Sequence, residues 1–349
     1  MVDLVFNPFS DTRKGFERQL ASFYSRGVRE SKGVMRYVFL LLITVFVAST
    51  TKVMVQSSAD AAAGDEATGI YAYSRSAWPP EVAKASDLVV VQYNLELSSP
   101  SVADDIRSLA MSGHRVIIDL EFMSSINQRL GRAPLPDPER VAAEEEKFLN
   151  TLSDVPLEAI TLDEENMMSN ERFEYLGKLY RILKRKFPER SFVQWVTFKT
   201  NWEDFESSID SLPSDGYFVD PYVVSINDYR NIAEYLAGKG RPLYSLLWAS
   251  PGWQIERGGK AVAQPDWWND HRWINFYKKI SINQKYNAHS LFFLYALDNG
   301  RIVPLWQGNS CERNFARAFL TQTMPYIKSV RVDQNTPDSR PSWIPAFCT

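Results

Sequence analysis

Three consecutive carboxylates, Asp163, Glu164 and Glu165, follow directly after the apolar run Ala-Ile-Thr-Leu at 159–162. Two carboxyl groups held close together can separate their pKa values, so that one stays protonated while the other stays ionised. Such a pair can perform general acid and base catalysis. The alternative is that these charges only solvate a loop. The elements that hold the side chains decide between the two interpretations.

Short apolar runs alternate with longer amphipathic segments from residue 69 onward, and each run suits one β-strand. The runs cover residues 70–74, 88–96, 115–122, 159–165, 192–198, 217–224, 243–250 and 291–298. Helices are predicted at 99–112, 138–152, 170–187, 227–238, 270–286 and 312–328. Strand and helix repeats of this number favour a (β/α)8 TIM barrel. A doubly wound sheet is the alternative, but the sequence has no glycine-rich phosphate-binding motif.

Side chains along a barrel strand alternate between the barrel interior and the surrounding helices. In the fourth run, Ile160 and Leu162 suit the helix side, which turns Asp163 and Glu165 to the interior at the carboxyl end of the strand. Catalytic residues of TIM barrels lie at this end. We therefore predict Asp163 and Glu165 as catalytic residues, with Asp220 at the end of the sixth run as a third.

The same alternation brings other polar and aromatic side chains to this mouth. The chain is rich in aromatic residues, with 10 Trp, 16 Tyr and 20 Phe, and such rings stack on flat faces of sugars. Each of these residues could instead belong to the core or to a solvated loop. The predicted substrate-binding residues are Asn94, Asp119, Glu121, Trp195, Tyr222, Trp248, Tyr295 and Asp298. The stretch 251–270 is predicted to be an extended loop after the seventh strand.

Composition narrows the partners of the protein. The formal net charge of −3 argues against nucleic-acid binding. The histidines, His114, His271 and His289, are far apart and form no zinc-binding pattern. We therefore expect no cofactor, although Mg²⁺ or Ca²⁺ held by carboxylates stays open.

A basic segment precedes an apolar run near the N-terminus, as in a signal peptide or a membrane anchor. The apolar run, Tyr37–Ala48, is short for a membrane span. The anchor, if uncleaved, would attach the protein to the membrane through residues 37–55. We expect the folded part to lie outside the cytoplasm, as a secreted, periplasmic or membrane-anchored protein. There Cys311 and Cys348 could form a disulfide.

Four segments follow from these boundaries. The first is a basic N-terminal extension, disordered or upstream of a true start at Met35, and the second is the signal or anchor with a small-residue linker. The third is the catalytic barrel and the fourth a C-terminal tail. In order, the segments are 1–34, 35–68, 69–330 and 331–349.

The sequence Glu-Ala-Ile-Thr-Leu-Asp-Glu-Glu at 158–165 resembles the D-x-x-D-x-D-x-E signature on the fourth strand of chitinase-type glycoside hydrolases. Glu158 stands at the first Asp of this signature and Thr161 at the second. Asp163 matches the last Asp of the signature, and Glu165 matches its Glu, which is the general acid of those enzymes. The S-x-G-G of the third strand is absent, with Asp-Leu-Glu-Phe in its place. The resemblance is therefore to the superfamily of TIM-barrel glycoside hydrolases, with no family assigned.

This resemblance implies an enzyme that cleaves a polysaccharide or an oligosaccharide. Glu165 would be the general acid, and Asp163 would raise its pKa, orient it or steady an acetamido group of the substrate. Under an alternative mechanism, Asp220 would be the nucleophile or base across the cleft. Two alternatives stay open at this point: a non-catalytic barrel that binds carbohydrate, and a metal-dependent phosphodiesterase or lyase barrel.

Overall fold

A computed structural model of the chain describes the part of the sequence that forms the barrel and its helices. Residues 1–66 and 330–349 lie outside the described residues, and with them nearly all of the predicted signal or anchor segment, the C-terminal tail and Cys348. Cys311 takes part in a disulfide bond. No helix within the described residues is long and apolar enough to cross a membrane. The described residues are 67–73, 84–94, 101–121, 134–162, 170–196, 202–221, 224–249, 253–255, 261–263, 270–298, 301–308 and 310–329.

Eight parallel strands close into a barrel, which confirms the predicted (β/α)8 fold. With all strands numbered along the chain, the barrel strands are β1 (Thr68–Tyr73), β2 (Leu88–Asn94), β3 (Arg115–Glu121), β4 (Ala159–Leu162), β5 (Phe192–Val196), β6 (Gly216–Val219), β7 (Leu243–Trp248) and β10 (His289–Phe293). Each strand pairs with the next along the chain, and β10 closes the barrel by pairing with β1, where Thr68 lies opposite Ser290.

Helices connect the strands and cover the outside of the barrel. They are α1 (Val102–Met111), α2 (Pro138–Asn150), α3 (Asn170–Lys186), α4 (Trp202–Ser211), α5 (Ile226–Ala237), α6 (Asp270–Lys285), α7 (Ser310–Ala318) and α8 (Met324–Ser329). A π-helical stretch, Phe319–Thr323, joins α7 to α8, where one helix was predicted. The sequence did not predict α4, because it is short and its described buried residues, Phe205 and Ile209, give a weak pattern.

The alternation along the strands separates two apolar layers. Val116, Ile118 and Leu120 of β3 pack outward in one cluster with residues of the surrounding helices, such as Leu176. Ile117, between them, belongs to the cluster that fills the barrel. This separation agrees with the faces predicted for the third strand. The interior cluster consists of Ala67, Tyr71, Leu88, Val90, Ile117, Ala159, Val193, Trp195, Phe218, Tyr244, Leu246, Leu291 and Phe293.

Two small antiparallel sheets depart from the sequence prediction. The predicted loop 251–270 contains β8 (Trp253–Ile255) paired with β9 (Ala261–Ala263). The predicted eighth strand ends early at Phe293, and the chain continues as β11 (Tyr295–Asp298), which pairs with β12 (Arg301–Pro304). The carbonyl of Leu294 accepts the N–H of Leu305 at 3.0 Å, so it bonds to this returning segment rather than to a barrel strand.

Candidate active site

Asp119 is a fully enclosed carboxylate in the barrel interior. Its Oδ2 accepts a hydrogen bond from the Tyr71 hydroxyl at 2.5 Å. Its Oδ1 accepts from the indole N–H of Trp195 at 3.2 Å and from the hydroxyl of Thr161. The same indole N–H lies 3.2 Å from the Thr161 Oγ1. Donors from β1, β4 and β5 thus converge on one carboxylate of β3.

Glu121 lies on the same face of β3 as Asp119, two residues nearer the carboxyl end of the strand. Its register partner on β2 is Asn94. The Asn94 side-chain amide donates to the Glu121 Oε2 at 3.3 Å. Both side chains are buried. The interior therefore changes from apolar to polar toward the carboxyl ends of β2 and β3, as their alternation predicts.

The surroundings of Asp119 change its acidity. Burial is the largest cause and, with the negative charge of Glu121, raises the pKa of Asp119 to about 6. The hydrogen bonds from Thr161, Tyr71 and Trp195 act in the opposite direction, because they favour the ionised form. The barrel thus holds a carboxyl group that changes its protonation state in mildly acidic solution, beside a second carboxyl group on the same strand.

Asp220 follows β6 directly and is partly buried. The next residue, Pro221, accepts a hydrogen bond at its carbonyl from the ammonium group of Lys279 on α6. Lys279 leaves 6% of its surface exposed. It was not predicted from the sequence, although a charged residue among the apolar positions Phe276, Tyr277 and Ile280 of one helix was a signal that could have revealed it.

The other predicted site residues are Trp195, Trp248, Tyr295 and Asp298, which the structure describes, and three that it does not describe. Trp195 is enclosed, because its ring packs on Phe218 with centroids 4.1 Å apart and 2% of its surface is exposed. Trp248 is the last residue of β7, whereas Tyr295 and Asp298 lie on β11 outside the barrel wall. Asp163, Glu165 and Tyr222 lie outside the described residues, and their roles stay predictions.

A metal site was left open by the sequence. Within the part of the chain that the structure describes, no group of three histidine, cysteine, aspartate or glutamate side chains is arranged to hold a metal ion.

Comparison with known proteins gives similar folds at low sequence identity. No protein-family model and no curated protein matches the chain. Several of the similar solved structures are named as chitinases, xylanases or glucanases. One is a GH18 chitinase from Pseudoalteromonas aurantia, with 12% identity and a TM-score of 0.43 over 65% of this chain and 93% of that chain.

Two further similar structures have other names. A thermostable mutant of a xylanase from Cellvibrio japonicus has 11% identity and a TM-score of 0.42, over 66% of this chain and 86% of that chain. An L-ribulose 3-epimerase has 15% identity and a TM-score of 0.46, over 79% of this chain and 100% of that chain. At these values the likeness assigns neither a family nor an activity, and the strand order of the chain itself establishes the barrel.

Proposed function

We propose that this protein is a glycoside hydrolase that cleaves a polysaccharide or an oligosaccharide at the carboxyl end of its barrel. The observation that carries the proposal is the buried Asp119 with its converging donors, close to the Glu121 and Asn94 pair at the strand ends. Polar groups in a barrel core cost free energy unless they have partners. Two carboxyl groups placed there with their donors support a role beyond packing.

The acids of β3 support the roles that we assign to the fourth strand. In our proposal Glu165 is the general acid, and it must stay protonated near neutral pH to donate to the leaving oxygen. Negative charge nearby raises the pKa of such a group, and β3 is the register neighbour of β4. Asp119 and Glu121 would supply this charge together with Asp163.

Asp220 is the proposed nucleophile or base. It follows β6, and β5 and β4 lie between β6 and β3 in the barrel. A distance of about 5–5.5 Å between its carboxylate and the acid would make the enzyme retaining, and about 6.5–9.5 Å would make it inverting. The stereochemistry of the product therefore reports this distance.

The substrate contacts that we propose follow from the chemistry of the side chains predicted at the strand ends. We propose that Asn94, Glu121 and Asp298 bond to sugar hydroxyls, and that Tyr222, Trp248 and Tyr295 pack on sugar faces. Asp119 and Trp195 are enclosed by protein and would act through the residues they contact. We also propose that the N-terminal signal or anchor, with residues 37–55, places the barrel outside the cytoplasm.

The test is hydrolysis of a panel of bacterial and plant polysaccharides by the full-length protein, measured as released reducing ends. Glu165→Gln should lower the rate about a hundredfold or more, within the range of general acid catalysis. Glu164→Gln is the matched control and should stay near the parent, because the strand alternation turns Glu164 away from the interior.

Other outcomes would change the assignment. Unchanged release by Glu165→Gln would move the acid to Asp220 or Glu121. No release from any polysaccharide, with binding retained in parent and variant, would support the carbohydrate-binding barrel. Activity that a chelator abolishes would support the metal-dependent phosphodiesterase or lyase.

A further inference from the structure

Lys279 is a buried cation at the edge of the candidate site. Lysine is almost never fully buried unless its charge has a partner, yet Lys279 leaves 6% of its surface exposed. Its ammonium group donates to the carbonyl of Pro221. That carbonyl belongs to the residue directly after Asp220. The hydrogen bond therefore fixes the backbone beside the acid of the sixth strand.

Lys279 lies on a polar face of α6 that packs against other elements of the barrel. Lys279 precedes Asn283 by one helical turn, so the two share a helix face. Asn283 Oδ1 accepts from the hydroxyl of Tyr229 on α5, and its amide donates to the Ser290 hydroxyl on β10 at 2.9 Å. This polar face of α6 thus packs against α5 and the barrel, and Lys279 lies on it.

Lys279 and Asp220 each favour the charged form of the other residue. Burial lowers the pKa of Lys279 to about 8, and the negative charge of Asp220 opposes this effect. Coupling between two groups is reciprocal, so the ammonium group favours the ionised form of Asp220 by the same free energy.

We propose that Lys279 is a positioning residue that keeps the Asp220 carboxylate ionised and fixed at the mouth of the barrel. The proposal rests on the role of Asp220 as nucleophile or base, because both roles require an ionised carboxylate. Proline after Asp220 restricts the backbone at that position, and the hydrogen bond from Lys279 adds a second constraint. Helix α6 thereby takes part in the site through Lys279.

The first experiment needs no substrate. The titration of Lys279 is followed by NMR in full-length protein labelled at the lysine side chains, with Lys279→Arg used to assign the signal. In the parent the lysine should titrate at about 8, and in Asp220→Asn its pKa should fall by roughly one unit. A pKa that is unchanged in Asp220→Asn would overturn the proposal, whatever the activity of the protein.

The second experiment is the pH profile of kcat/KM on the hydrolysed polysaccharide. Lys279→Met should move the acidic limb to higher pH by roughly one unit, because Asp220 loses the cation that favours its ionised form. Lys279→Arg keeps the charge and should keep the limb. The matched control is Lys278→Met, since Lys278 is exposed on the same helix, and its profile should equal that of the parent.

Two results separate this proposal from the proposed function. A uniform loss of activity in Lys279→Met, with the acidic limb unmoved, would show a structural role and overturn the inference. An absence of hydrolysis on every substrate would overturn the proposed function instead, and the lysine titration in Asp220→Asn would then decide on the coupling by itself.

Discussion

At the scale of single residues, the donors around Asp119 decide how its carboxyl group behaves. Burial favours the protonated form, and each hydrogen bond from Tyr71, Thr161 or Trp195 favours the ionised form. The balance leaves a pKa of about 6. Removing one donor without changing the volume of the side chain should therefore shift the balance in a known direction.

Thr161→Val removes such a donor. Because the Thr161 hydroxyl donates to Asp119, its loss should raise the pKa of Asp119 above about 6, by roughly one unit. Isotope-edited infrared or NMR titration of the carboxyl group measures this change. Thr151→Val is the control, since the Thr151 hydroxyl bonds to the Phe148 carbonyl at the end of α2. An equal shift in both variants would contradict the prediction.

Some of the candidate site could be predicted residue by residue. Alternation along β2 and β3 correctly turned Asn94, Asp119 and Glu121 inward, because this pattern is a local property of each strand. Tyr71 and Lys279 were not predicted as site residues. Their contacts with Asp119 and Pro221 join segments 48 and 58 residues apart, and no local pattern encodes such distances.

At the scale of elements, an ionic contact between Arg115 and Glu158 joins the neighbouring strands β3 and β4 where they begin. Arg115, the first residue of β3, makes a bidentate contact with Glu158 before β4, with distances of 3.0 and 2.6 Å. The Tyr244 hydroxyl of β7 also donates to Glu158 at 3.1 Å. The position that resembles the first Asp of the chitinase signature thus lies at the amino end of the barrel, far from the proposed chemistry.

Glu158→Gln should destabilise the barrel in a pH-dependent manner. Burial opposes ionisation of Glu158, but the hydrogen bonds from Arg115 and Tyr244 and the charges of Arg115 and His289 together outweigh it and hold the pKa below its usual value. A lowered pKa adds stability above the ordinary pKa of the group, and this stability is lost as the pH falls through the lowered value. We expect a loss of about 1–3 kcal/mol at pH 7.

Urea unfolding of the parent and Glu158→Gln, at neutral pH and at a pH below the lowered pKa of Glu158, measures this loss. The difference between the two proteins should disappear in acid. Glu146→Gln serves as the control, because the Glu146 contact with Lys186 joins two more exposed side chains and should contribute little. A difference that persists in acid would show that the amide disturbs packing instead.

The sequence predicted which segments form strands more reliably than it predicted where those strands end. Eight apolar runs gave eight barrel strands, because a buried parallel strand needs a continuous apolar run. Strand β11 was merged with the eighth strand, since Tyr295 to Asp298 continue an apolar pattern without a break. A strand leaves the barrel where its carbonyl groups accept hydrogen bonds from a segment other than a barrel strand. The sequence does not show which segment donates these hydrogen bonds.

At the scale of the whole molecule, the pairing of β1 with β2 in the barrel includes a close approach between backbones. A Cβ atom added at Gly69 of β1 would lie 2.1 Å from the carbonyl oxygen of Leu88. Gly177 on α3 is different, because its added Cβ would meet its nearest neighbour, Pro213, at 3.5 Å, an ordinary contact. The same substitution at the two positions should thus have opposite effects.

Gly69→Ala should lower the free energy of unfolding by about 1–3 kcal/mol or more, as in other overpacked cores. Gly177→Ala should raise it by up to about 1 kcal/mol, because alanine is a better helix former than glycine. Denaturant unfolding followed by circular dichroism measures both. A stable Gly69→Ala variant with unchanged midpoint would mean that β1 and β2 can move apart without loss.

The pairing of β1 with β10 also has a consequence for how the chain is made. The N–H of Ala67 bonds to the Nδ1 of His289, across 222 residues of sequence. At about 5–20 residues per second, a ribosome needs roughly ten seconds to most of a minute to deliver the missing strand. During that interval the nascent sheet has two open edges, which are templates for pairing with other chains. Successful biogenesis therefore depends on shielding these edges until translation reaches the end of the barrel.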